Sequence, residues 1–247
     1  MSETLSGTAL GLLGTVVALS LLAALLARHL QGLILLLTRS GTTAAAVYDL
    51  LVLPGVVLHE VAHVVAAVLL RVRVIRVDLF RFRRRGDARQ GEVIVERADP
   101  LRMSVIGAAP LILGIPVVLF LLRWLAVPPL GLTSDVVVAL RPILREPLNL
   151  LALYLVWAIA NTMFPSAADR AAWWTVGAVL IVAGVVVVLS GQRPALPPPA
   201  LLTLEQAAAR LTSGLLPVVA LDAVLLAVVL ALEWLASRVT GRRVVRT

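Results

Sequence analysis

Pro54-Gly55-Val56-Val57-Leu58-His59-Glu60-Val61-Ala62-His63-Val64-Val65-Ala66-Ala67-Val68-Leu69-Leu70 is the stretch on which the fold turns. Its only ionisable side chains stand together, His59, Glu60 and His63, and everything around them is apolar. Four residues are about one turn of helix, so the two imidazoles project from one face and can share a metal ion. Glu60 then lies beside the ion, where it can take a proton from water. Placing an ionisable side chain at the middle of a membrane span costs about 2.5–3.5 kcal/mol, so the cluster needs a common reason, and a divalent cation supplies one.

The rest of the chain places this helix in a bilayer. Of 247 residues, 60% are hydrophobic, against roughly 45–50% apolar content in a soluble domain. Apolar runs at Thr8–Leu37, Ala45–Leu70, Leu101–Ala126, Leu148–Phe164, Ala171–Leu189 and Leu215–Leu235 reach or approach the roughly 20 residues that a helix needs to cross. The expected fold is an all-α polytopic membrane protein, a single integral membrane domain over 1–247 with about six transmembrane helices. The first run lacks a basic region ahead of it and a small-residue cleavage site behind it, and reads as a retained span.

The net charge is +8 and all of the basic residues are arginine. They gather at Arg71–Arg102 and Arg238–Arg246, between and after apolar runs, which is a topology signal and not a nucleic-acid patch. Both segments are therefore expected in the cytoplasm, and six crossings would put the N-terminus there too. The expected location is the inner (plasma) membrane of a bacterium, with lipid as a partner and no nucleic acid.

Inside the basic segment 71–100, Val72–Phe82 alternates partly and Glu92–Glu96 is β-branched at its centre, so a short β-hairpin at the membrane surface is expected between helices two and three. Pro194, Pro197, Pro198 and Pro199 mark a linker, and Thr203–Leu211 reads as a short amphipathic helix, together filling 191–214.

With no cysteine in the chain, any metal must use His, Asp, Glu or backbone oxygen. Zinc is the first choice for an imidazole–carboxylate set, with iron and cobalt as alternatives. A third ligand is needed, and His29 lies at the edge of the first span. Asp169 and Asp222 are the candidates. Asp169 follows the break Asn161-Thr162-Met163-Phe164-Pro165, and broken helix at membrane depth is tolerated where it lines a cavity.

These residues together resemble the site-2 protease family of intramembrane zinc metalloproteases. His59-Glu60-Val61-Ala62-His63 resembles its first motif. Asn161, Pro165 and Asp169 resemble its second, and Gly107-Ala108-Ala109-Pro110 is similar to its small-residue and proline segment. The likeness covers Pro54 to Asp169 and departs at Ala62 and Arg170, where the family has glycine. It implies zinc held by His59, His63 and Asp169, with Asn161 and Pro165 in support. It also implies Glu60 as the catalytic proton carrier in hydrolysis of a peptide bond within or beside a transmembrane segment. The segment between Leu70 and Leu101 is too short for the PDZ-type domain of some members. Membrane-tethered H-E-x-x-H peptidases with a glutamate as third ligand are a second resemblance, but no downstream glutamate here sits in such a motif. Two other functions compete: a non-catalytic metal-binding scaffold or regulator of the same fold, and a proton or ion transporter relaying through Glu60, Asp169 and Asp222. No internal repeat supports the transporter.

Overall fold

The computed structural model describes residues 2–78, 91–125, 146–190 and 197–242. Helix α1 (Ser2–Thr38) continues through Arg28, His29 and Gln31 without a break. At about 1.5 Å per residue it is roughly 55 Å long, well beyond the roughly 30 Å of a hydrocarbon layer. Ser40 caps α2 (Gly41–Leu51), its hydroxyl accepting from the Thr43 amide at 3.2 Å. Helix α3 (Leu53–Leu69) follows at an angle of 67°. Pro54 lies in the first turn of α3, where its missing N–H costs nothing, but it could not have continued α2. The second expected span is therefore a bent pair.

Strands β1 (Val74–Asp78) and β2 (Glu92–Val95) pair antiparallel, Val77 opposite Val93 and Asp78 opposite Glu92, as the alternation suggested. The connecting turn, including Arg83 to Gln90, lies outside the described residues. Asp99 caps α4 (Pro100–Trp124) by accepting from the Arg102 amide at 3.0 Å. Helices α5 (Pro147–Thr162) and α6 (Trp173–Leu189) flank the connection that carries Asp169. The last helix, α7, runs unbroken from Pro198 to Thr240 and ends on Gly241 in the left-handed region, φ 66°.

That length corrects the sequence reading. The expected linker to Ala200, short helix Thr203–Leu211 and separate last span are one helix from Pro198 onward. Prolines 198 and 199 occupy its first turn, where no intrahelical N–H is required. Residues 191–196 of the expected linker lie outside the described residues.

Among the described residues, α1, α4 and α7 are long and apolar enough to cross a membrane, and the α2–α3 pair makes a fourth candidate. Helices α5 and α6 are shorter. The outermost pair also runs in an unexpected direction. Gly11 lies beside Thr212, and toward the other end of both helices His29 Nδ1 meets Glu233 Oε2 at 2.6 Å, so α1 and α7 are parallel. The first and last of six crossings must run in opposite directions. The expected six crossings are not shown: the described residues give three spans, or four with the bent pair. Apolar length identifies candidate spans but carries no information on their direction.

The core gathers Tyr48, Val52 and Val56 with Val118 and Leu122 of α4, Val156 of α5, and Leu215 and Val218 of α7. Outside it, α6 exposes Trp174, Leu180, Ile181 and Leu189, the surface that a lipid-facing helix presents.

Candidate metal centre

His59 and His63 stand one turn apart on α3, and each ring is fixed by a neighbour that can only accept. His59 Nδ1–H donates to the Thr162 carbonyl at the end of α5, 2.6 Å away, and His63 Nδ1–H donates to the Ile106 carbonyl of α4 at 2.9 Å. Those bonds decide the tautomers. Both Nε2 atoms keep their lone pairs, and they face each other at 3.1 Å.

Asp169 completes the convergence. Its Oδ1 lies 3.3 Å from His63 Nε2 and its Oδ2 lies 3.6 Å from His59 Nε2. Ser166 sets the carboxylate: its amide donates to Asp169 Oδ2 at 2.7 Å, and the Asp169 amide donates back to Ser166 Oγ at 3.3 Å. This reciprocal pair has the spacing of a capping box.

The donor set passes a test for a cation. Two imidazole lone pairs and a carboxylate aimed at one point repel unless a positive charge lies between them. Ligand atoms at about 2.0–2.1 Å from a tetrahedral zinc stand roughly 3.3 Å from one another. The two nitrogens are 3.1 Å apart and the nearest Asp169 oxygens 3.3 and 3.6 Å from them, one oxygen to each histidine; with one atom taken from each residue, the set lies within 4.8 Å. His59, His63 and Asp169 thus form a group able to hold a metal ion.

Close packing holds the parts in register. On Gly55 of α3, a Cβ would overlap the Ala158 carbonyl and Thr162 Oγ1; on Gly107 of α4, it would overlap the carbonyl oxygen of Asp169. Both glycines are needed for the backbones to approach this closely. Ala62, where the resembling family has glycine, is 1% exposed and fits without disturbing the helix.

Glu60 is 6% exposed and its carboxylate reaches the start of β2, where Gly91 lies beside it and the Val93 backbone bonds to it. A cavity of about 820 Å³ joins the groups, bounded by His59, Glu60, His63, Asn161, Asp169, Gly91 and the whole of β2.

Of the residues expected from the sequence, His59, Glu60, His63, Asn161 and Asp169 thus border one cavity. Pro165 lies in the break between α5 and Asp169. Asp222 is not with the ligands; it is buried in α7 and accepts from Asn161. Thr162, Ile106 and Ser166 were not anticipated. The first two act through backbone carbonyls, which any residue supplies, whereas Ser166-Ala167-Ala168-Asp169 carries a readable capping spacing. Compared with family models, curated proteins and solved structures, the chain matches none.

Proposed function

We propose that the chain is an intramembrane zinc metalloprotease, hydrolysing a peptide bond within or beside a transmembrane segment of a membrane-bound substrate. The observation that carries this reading is the convergence of two histidine lone pairs and the Asp169 carboxylate, with Glu60 next to the first ligand and open to the same cavity. The likeness to the site-2 protease family in residue order, at His59-Glu60-Val61-Ala62-His63, Asn161, Pro165 and Asp169, supports it.

When bound, zinc polarises a carbonyl oxygen and acidifies water. His59 and His63 bind it through Nε2, their rings oriented by the Thr162 and Ile106 carbonyls. Asp169 offsets part of its charge. The Glu60 carboxylate takes the proton of the attacking water and passes it to the departing amide nitrogen. Strand β2 positions the substrate: among the described residues it is paired on one side only, and it lines the cavity along its length. A peptide bond in a helix has its N–H and carbonyl occupied, so the scissile segment must become extended, and an extended segment can add to a strand edge.

The arginine-rich hairpin segment and C-terminal tail belong to the cytoplasmic face of a bacterial inner membrane under the positive-inside rule.

The test is cleavage of a candidate transmembrane substrate by purified protein in liposomes. Wild type should cut, and Glu60→Gln should keep its zinc while losing cleavage by a factor of about 10² or more, the scale of a general acid–base contribution. Equal processing by the two would remove the enzyme reading and leave the metal-binding scaffold.

A further inference from the structure

Asp222 sits in the middle of α7 at 1% exposure, outside the metal cluster. A buried carboxyl is costly, and the other buried residues of this part of α7, Leu215, Val218 and Leu221, are apolar and belong to the core. Its Oδ2 has no hydrogen-bond partner among the described residues. Its Oδ1 accepts from Asn161 Nδ2 at 3.0 Å, and the same nitrogen donates to the Trp157 carbonyl at 2.9 Å.

Those two acceptors fix the Asn161 amide. Turned over, it would set its oxygen against the Trp157 carbonyl oxygen at hydrogen-bond distance, acceptor against acceptor. Both N–H groups are therefore consumed on the α5–α7 side. The polar valence left to Asn161 is Oδ1, an acceptor, and Asn161 lines the cavity that contains His59, Glu60 and Asp169.

We propose that Asp222 is a positioning residue: through Asn161 it holds an amide oxygen at the cavity wall as the acceptor for one main-chain N–H of an extended peptide. This rests on the protease reading, because it takes the cavity to receive a peptide backbone. Asp222 itself touches neither metal nor substrate.

The test uses full-length protein carrying Glu60→Gln, which binds without cutting, and a fluorescent Ala/Leu peptide of about 25 residues, long enough to span a bilayer. Versions of the peptide have each backbone N–H in turn replaced by an ester oxygen. At one position the ester should bind about tenfold more weakly than the amide, the scale of one hydrogen bond. Asn161→Ala and Asp222→Leu should each bind the two versions equally, while Asp222→Asn, whose side-chain oxygen still accepts from Asn161, should keep the preference. Zinc content should be the same in all of them.

The proposal is overturned if no position is ester-sensitive, or if Asp222→Leu keeps the tenfold preference. Loss of the preference in Asp222→Leu but not in Asn161→Ala overturns it equally. Should Asp222→Leu fail to fold, Asp222→Ser, too short to reach Asn161, decides in the same way. Failure of the protease reading is separate: protein retaining Glu60 would then leave the amide peptide uncut.

Discussion

The half of the molecule formed by α3, α4, α5 and the connection to α6 differs from the outer helices α1, α6 and α7 in how it uses small and polar residues. In the inner half Gly55, Gly107 and Gly114 each have a neighbour where a Cβ would stand, whereas Gly7 and Gly14 of α1 and Gly177 and Gly184 of α6 have open space; on α7, Gly214 meets Leu119 of α4 where that helix packs on the inner half. Polar side chains follow the same division. His59, His63 and Asp169 are each held by a named backbone partner, while α6 presents one apolar residue after another to its surroundings. The inner half is built for position, and the outer half for solubility in lipid. Substitutions should therefore act on metal retention in the first region and leave it alone in the second.

The largest effect expected is at the third ligand. Asp169→Asn keeps the shape and removes the charge, and it should weaken zinc binding by more than the roughly 10–100-fold typical of losing an outer-shell partner. Asp222→Asn should leave zinc in place, because Asp222 meets Asn161 and not the ligands. Competition with a zinc-responsive dye would measure both, and the reverse pattern would break the assignment.

A smaller effect belongs to Gly107→Ala. The new methyl group meets the Asp169 carbonyl, so the connection must move away and carry the carboxylate with it. We expect zinc affinity to fall about tenfold, a substantial part of an outer-shell effect. Gly177→Ala, in open space within α6, should change neither zinc affinity nor stability beyond about 1 kcal/mol, with alanine favoured by helix propensity. Equal losses in the two variants would erase the contrast between the regions.

The smallest effect is expected at the seam of the outer helices. His29 and Glu233 bridge α1 and α7 while partly exposed, 15% and 13% at their side chains. His29→Gln keeps a side-chain donor for Glu233, so it should shift stability by about the 0.5–1.5 kcal/mol of one hydrogen bond and leave zinc content unchanged. Loss of zinc there would show that the outer pair supports the site.

Much of the inner half was legible in the sequence, because its signals are local. The one-turn spacing of His59 and His63, the partial alternation of Val72–Phe82 with the β-branched centre of Glu92–Glu96, and the break from Asn161 to Pro165 each state a geometry within a few residues. Asp169 was readable by the same break, with Asp222 as its rival. What was not legible depends on contacts distant in sequence. The bond from Asn161 to Asp222 gives that aspartate a partner unrelated to the metal. The parallel run of α1 and α7 rests on pairings such as His29 with Glu233. The continuity of α7 was hidden by Pro198 and Pro199, which read as breakers but occupy a first turn, where proline is accepted.

The central claim is that His59 and His63 present their lone pairs to one metal ion, and metal analysis of the purified protein tests it most directly. Protein prepared without chelator should contain about one zinc per chain, matching a three-ligand site with one open position. His59→Ala and His63→Ala should each lose most of it. Wild-type protein with no bound metal after incubation with zinc, or variants that retain the full amount, would contradict the account.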